Sequence, residues 1–514
     1  MNQSNVVPAP SKIVELQWLA GQVEQLKQQG KKVVHCHGVF DLLHIGHIKH
    51  LQAARALGDV LIITITPDPF VNKGPRRPAF SQQLRAEALA ALEHVSYVAI
   101  NQWPSAVETL QLLKPDIYCK GMVKGEEKRD FSDAIKAEEN AIHSVGGVLH
   151  LTDEATFSAT TLINDHLNIY PPEVRAYLNT FRNQNGLDQL LKRFKDIQRL
   201  KILTIGEVII DEYVFVEVMG KANKDPIIAT RHQHTETYAG GILAIANHLA
   251  SFCNNVSVLS MLGTQNDYQD YVKRSLNPSI DAQFLSKSNA PTIVKRRFLQ
   301  TYLAVKLFEV YEMQNEQLTA DEEAQFLSKL DELLPHYDVV IVADYGHGLL
   351  TERAIDLLCR KAKFLAVNAQ TNAGNRGFNF ITRYPRADFI AIDEPEARLE
   401  ARNRQCDEPE LLRLIASRMD CPLMLLTVGA RGTLLYAPDK GMVSTPAFAL
   451  KAVDRMGAGD AVLALSAPCA ALGMSMEQLG FIGNVAGAEA CAILGNKSSI
   501  QAENFFRHIR SLVG

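Results

Sequence analysis

Residues 31–58 read KKVVHCHGVFDLLHIGHIKHLQAARALG. The first eight form an apolar strand ending at Gly38, and LLHIGHIKHLQAARALG has the character of a helix ending at Gly58. DVLIITIT (59–66) is a second buried strand. SQQLRAEALAALEHV and SAVETLQLLK read as helices, each followed by a strand, YVAIN and PDIYCKG. SDAIKAEENAIHSVGG is a helix stopped by paired glycines before the strand VLHLT. Upstream, a helix from about Ile13 to Gln28 is closed by Gly30. Strands alternating with helices specify an α/β domain with a parallel, doubly wound sheet, spanning 13–170.

Pro171-Pro172 breaks the pattern, and the amphipathic LDQLLKRFKDIQRL (187–200) marks 171–197 as a helical linker. A second α/β domain, 198–514, opens at KILTIGEVIIDEYVF. Its buried strands DVVIVADYG, FLAVNA, FIAID and PLMLLTVG are each expected to lead into a helix. EYVFVEV and PIIATRHQHTETYAGG alternate in a way that suits a small β lid.

The chain has 514 residues, 53 Lys+Arg against 57 Asp+Glu, and a net charge of −4. That balance supplies no field for gripping a nucleic-acid backbone. With 47% hydrophobic and 21% charged residues it is globular rather than disordered. No apolar run reaches the roughly 18 residues of a membrane span. The eight cysteines form no Cys-x-x-Cys pair, which excludes a zinc ribbon and fits a reducing compartment. The N-terminus has no secretory pattern, so the expected location is the cytoplasm.

Chemistry concentrates in two places. In HGVFDLLHIGHIKHL (37–51), His44 and His47 lie three residues apart at a helix start and point the same way. Gly46 between them lets a ligand approach the backbone, and the helix N-terminus favours phosphate. Two imidazoles there can donate to oxygens gaining charge while a phosphate oxygen attacks the α-phosphorus of a nucleoside triphosphate. His35, His37 and His50 lack that context. In VDRMGAGDAVLALSAPCAALG (453–473), Gly457, Ala458 and Gly459 open an apolar helix whose first amides can surround phosphate. Asp460, just inside it, is placed to take a proton from a hydroxyl attacking a γ-phosphate.

The first segment resembles the cytidylyltransferase-type nucleotidyltransferases, which have a Rossmann-like fold. The resemblance implies nucleotide and phosphate contacts at Gly38, Phe40, Gly46, at Lys73 in NKGPRRP and at Lys120. FSATTLIN (157–164) resembles that family's Ser/Thr motif, with Ser158, Thr160 and Thr161 toward the phosphates. Arg85 is either a phosphate contact or half of a surface ion pair. The second half is similar to the ribokinase-like carbohydrate kinases through GEVIIDEY, the glycine pair 240–241, ADYGHGLL, LLTVGARG and Gly-Ala-Gly-Asp. Asp211, Gly240 and Gly241 would then hold the sugar, and Asp393 and Glu396 would attend Mg²⁺. The pattern departs from that family at Ala244, Val367-Asn368-Ala369 and Arg455-Met456.

As a whole the chain resembles the bifunctional ADP-heptose synthases with the domain order reversed. That implies a sugar-phosphate kinase joined to a sugar-1-phosphate nucleotidyltransferase, using ATP or another nucleoside triphosphate with Mg²⁺, for surface glycan synthesis. A homodimer formed through the lid is a further implication. Two other readings stay open: a nucleotidyltransferase whose kinase-like half serves binding or dimerisation, and a non-enzymatic regulator.

Overall fold

A computed structural model describes residues 12–71, 78–121, 131–152, 170–266, 268–302, 305–314, 316–375, 377–449 and 452–513. Lys73, Ser158, Thr160 and Thr161 lie outside the described residues. The chain divides into two compact units at residue 170.

Among the described residues the first unit has a five-stranded sheet: β1 (Val33–Gly38), β2 (Val60–Ile65), β3 (Tyr97–Ile100), β4 (Ile117–Gly121) and β5 (Val148–Thr152). Its order is β3-β2-β1-β4-β5, with every pairing parallel. The apolar runs bury both faces, and β1 lies at the centre, where the strand order reverses. Ligands in open α/β sheets settle beyond the carboxyl ends of strands at such a reversal. The helix Ile45–Ala56 follows β1 there, packing Leu51 and Ala54 against Val34, Cys36 and Ile63.

The second unit has a nine-stranded sheet built from β6 (Lys201–Gly206), β9 (Asn255–Gly263), β10 (Asp281–Lys287), β13 (Val339–Asp344), β14 (Leu365–Ala369), β15 (Phe389–Asp393), β16 (Met424–Thr427), β17 (Thr433–Ala437) and β18 (Gly441–Thr445). The order is β10-β9-β6-β13-β14-β15-β16-β17-β18, parallel up to β16 and antiparallel beyond it. A separate sheet, β12-β11-β7-β8, joins β7 (Val208–Lys221), β8 (Ile228–Gly241), β11 (Ile293–Gln300) and β12 (Val305–Glu312). The sequence pattern located its β7–β8 hairpin and missed β11 and β12.

Two expectations are corrected. PLMLLTVG leads through a single 3-10 turn (Gly429–Arg431) into β17 and not into an α-helix, because Gly432 (φ +100°) turns the chain back antiparallel. FLAVNA leads into a loop held by its own asparagines, with Asn375 Nδ2 donating to the carbonyls of Tyr345 and Gln370.

The segment expected as a linker forms the helices Pro172–Gln184 and Leu187–Lys195, which pack within the second unit. Phe181 stacks on Phe481 at 4.3 Å, and Phe194 stacks on Phe505 at 5.2 Å.

Candidate active sites

In the first unit the chain leaves β1 at Gly38 and passes Phe40, which holds φ +48°. A non-glycine residue in that region is strained, and functional turns are where such strain persists. His44 is the N-cap of the helix Ile45–Ala56, and its Nδ1 accepts the Gly46 N–H at 3.1 Å. Accepting at Nδ1 places the proton of a neutral ring on Nε2, leaving an N–H donor. The His47 ring lies 3.9 Å from that of His44, centroid to centroid, and meets Phe40 edge-on at 5.4 Å. The structure thus brings Gly38, Phe40, His44, Gly46 and His47 together on one strand-to-helix turn.

Lys120 ends β4 next door and is ion-paired with Glu138, which also accepts the Tyr118 hydroxyl at 3.2 Å. His35 and His37 both bond to Thr64 Oγ1, each at 2.8 Å. Burial holds both rings neutral, down to about 3, with Lys120 adding to the effect on His37. They buttress the strand end rather than serve as proton carriers.

Arg85 is neither exposed nor half of a surface pair: it is 1% exposed. Its guanidinium donates to the carbonyls of Val39 (2.5 Å), Thr66 (2.8 Å) and Phe80 (3.1 Å), and to Asp68 Oδ1 (2.7 Å). The helix Gln82–Ala90 turns that face inward, so Arg85 fixes the loop after Gly38. Asp41 secures the neighbouring loop by accepting the Ala79 N–H at 2.6 Å. Neither role shows in the sequence.

In the second unit, Gly457 (φ +77°) is the N-cap of the helix Ala458–Ala471, and a Cβ there would strike the Asn496 side chain. Asp460 sits in the first turn, 8% exposed. Its Oδ1 accepts from the Tyr345 hydroxyl and from Gln370 Nε2, both at 3.1 Å. Burial, with Asp211 adding its charge, pushes the carboxyl up to about 6. It is therefore ionised at neutral pH yet basic enough to accept a proton. Asp454 orders the approach by accepting from Tyr213 (2.6 Å), Lys306 (2.7 Å) and the Met456 N–H (3.2 Å).

Asp211 lies on β7 beside the glycine pair, where β7 and β8 place Ile209 opposite Gly240. A side chain at Gly240 would collide with the Asp211 carboxylate. Asp211 is ion-paired with buried Arg297, which also bonds Glu309 at 2.9 Å. Lys295, buried on the same strand, lies 5.4 Å from the Tyr311 ring and 5.9 Å from that of Tyr345. Burial lowers its pKa, opposed by the charges of Asp211, Glu207 and Asp460. Glu207 accepts the N–H groups of Tyr345 (3.0 Å) and His347 (2.9 Å) and so holds the loop carrying Tyr345. Sequence reading missed Lys295, Arg297, Tyr345 and Gln370. Tyr345 lies inside the quoted ADYGHGLL, and Lys295 and Arg297 flank Arg296 in the basic run of IVKRRFLQ (293–300).

Asp393 and Glu396 cap the helix Glu394–Ala401. Glu396 accepts from the Asp393 N–H (3.2 Å) and the Thr371 N–H (3.1 Å), while Asp393 accepts from the Thr427 hydroxyl (2.8 Å). Burial, with the charges of Asp393 and Asp460, raises Glu396 to about 8. The ionised form of Glu396 is thus disfavoured beside Asp393 and Asp460, and a hard divalent cation, which takes oxygen donors, would relieve that repulsion. Ala244, where the kinase pattern has asparagine, is buried in the helix Ile242–Ala250; Asn247 instead holds the 275–277 turn through Ser275 and Asn277.

The family described as pfkB family carbohydrate kinase matches residues 199–502, and the family described as Cytidylyltransferase-like matches 35–164. The Bifunctional protein HldE of Syntrophotalea carbinolica is 36% identical over 159 residues, 30% of this chain and 31% of that protein. The protein of the same name from Histophilus somni is 28% identical over 324 residues, 62% of this chain and 65% of that protein. The match to the first of these thus spans about a third of its length. Phosphofructokinase-2 from Escherichia coli in complex with potassium superposes with a TM-score of 0.50 at 12% identity, covering 61% of this chain and 99% of that one, a likeness of fold.

Proposed function

We propose, starting from the premise that the chain belongs to the pfkB family of carbohydrate kinases, that it is a bifunctional enzyme making a nucleotide-activated sugar. The second unit phosphorylates a sugar phosphate at its anomeric hydroxyl. The first unit joins the resulting sugar 1-phosphate to a nucleotide and releases pyrophosphate. The product is of the ADP-heptose type and serves surface glycan synthesis. One observation carries this reading: both units present a helix start behind a glycine turn, with proton-handling side chains at that start, His44 and His47 in one and Asp460 in the other.

In the kinase unit, Asp460 accepts the proton of the attacking hydroxyl, and Tyr345 and Gln370 orient its carboxylate. The amides after Gly457 receive the γ-phosphate, and Asp211 positions the sugar. Lys295 and Arg297 offset the charge of an anionic sugar. Asp393 and Glu396 would hold Mg²⁺, which supplies neutralisation of phosphate charge. In the transferase unit, His44 and His47 donate to the oxygens of the α-phosphate and the leaving pyrophosphate.

Subunit pairing belongs to the same reading. The sheet β12-β11-β7-β8 exposes Met219, Ile228, Phe308 and Val310. Apolar edges of this kind favour a covering copy, hence a homodimer. A second reading, transferase activity alone, is favoured by one feature: Arg297 already occupies the Asp211 carboxylate.

The test supplies ATP with a panel of sugar phosphates and measures ADP, then supplies nucleoside triphosphates with sugar 1-phosphates and measures pyrophosphate. Release of both products supports bifunctionality. Pyrophosphate without ADP supports the second reading, and neither product removes both.

A further inference from the structure

Nothing in the proposed reactions uses the middle of β1 and β4. Cys36 and Cys119 are direct register partners on these adjacent parallel strands, and both are buried. His50 reaches the pair from the helix Ile45–Ala56. The two sulfurs and a ring nitrogen of His50 lie within 4.8 Å of one another. Thr152 Oγ1, 2.7 Å from His50 Nδ1, fixes the ring. Among the described residues this is the one such convergence of His, Cys, Asp and Glu.

The donor set is specific. Two sulfurs and an imidazole without a carboxylate are soft donors, unlike the oxygens that suit Mg²⁺. Metal–sulfur bonds near 2.3 Å and metal–nitrogen bonds near 2.0 Å put ligands roughly 3.5–4 Å apart, so small side-chain rotations close the site. A hydroxyl bonded to one ring nitrogen is the outer-shell partner that orients a ligating histidine. Packing explains two buried cysteines, but it does not explain an imidazole brought onto them.

We infer that Cys36, Cys119 and His50 bind one thiophilic d¹⁰ cation, zinc(II) or copper(I). Binding forms two metal–sulfur bonds and one metal–nitrogen bond, releases the two thiol protons to solvent and transfers no electron. His50 is one helical turn after His47, so the cation ties the helix carrying the transferase histidines to β1 and β4.

The test uses the full chain, reduced and freed of metal by chelator. Zinc(II) and copper(I) are added in separate arms, the protein is desalted, and metal per chain is measured by elemental mass spectrometry. Cobalt(II) titration reads thiolate coordination through its charge-transfer absorption. Wild type should retain about one metal per chain in at least one arm, which identifies the cation. Cys36→Ser and Cys119→Ser should each reduce retention about tenfold or more, with Cys359→Ser unchanged. His50→Gln leaves both strands intact and should weaken retention and the cobalt band to a similar degree. Loss of metal from wild type on desalting, or equal retention and an unchanged cobalt band in His50→Gln, overturns the proposal.

Discussion

The Tyr345 hydroxyl donates to Oδ1 of Asp460 across 3.1 Å. Gln370 takes the same oxygen, so neither donor uses Oδ2. This bond favours the ionised carboxylate and opposes the burial that raises it to about 6. ADP formation should therefore rise with pH through about 6 and level off above, because only the ionised form accepts a proton. At one unit below the midpoint, activity should be about a tenth of the plateau. Tyr345→Phe should move the midpoint upward. A profile flat from pH 5 to 8 would remove Asp460 as the base.

The rings of His44 and His47 lie 3.9 Å apart, centroid to centroid, at the start of the helix Ile45–Ala56. His44→Ala and His47→Ala should each lower pyrophosphate release about 10²–10³-fold, the range for a lost charge-stabilising donor. Circular dichroism should be unchanged. A loss of less than about threefold in both would assign the chemistry elsewhere.

Arg85 is a buried cation with three carbonyl partners and one carboxylate. Arg85→Met should destabilise the first unit by about 2–4 kcal/mol, since it strands buried acceptors and an unpaired Asp68. Differential scanning calorimetry should show one transition move and the other stay. Full stability with only a higher KM for nucleotide would make it a phosphate contact instead.

Phe181 stacks on Phe481. Phe181→Ala should lower the stability of the second unit by about 3–5 kcal/mol. If residues 171–197 were an independent linker, the change would cost under about 0.5 kcal/mol.

The two candidate turns are legible because each is local: strand or glycine turn, helix start and reactive side chain are near neighbours in sequence. The parallel order of the first sheet followed from the alternation of strands and helices. Lys295 and Arg297 stayed hidden because their proximity to Asp211 depends on β11 pairing with β7, across some 80 residues. Arg85 stays open in the sequence between a phosphate contact and half of a surface ion pair, because one helical turn does not reveal which face is covered. Cys36, His50 and Cys119 follow no spacing rule, since the β1–β4 pairing brings the cysteines together and the packing of the helix Ile45–Ala56 adds His50.

The proposed function requires two independent phosphoryl-handling sites on one chain. The most direct measurement assays ADP and pyrophosphate in parallel for wild type, His47→Ala and Asp460→Asn, with each product identified by mass. Asp460→Asn should lose ADP formation about 10²–10⁴-fold and keep pyrophosphate release, while His47→Ala should lose pyrophosphate release about 10²–10³-fold and keep ADP formation. Loss of both activities from either substitution in a folded protein, or a wild type that makes neither product, would contradict it.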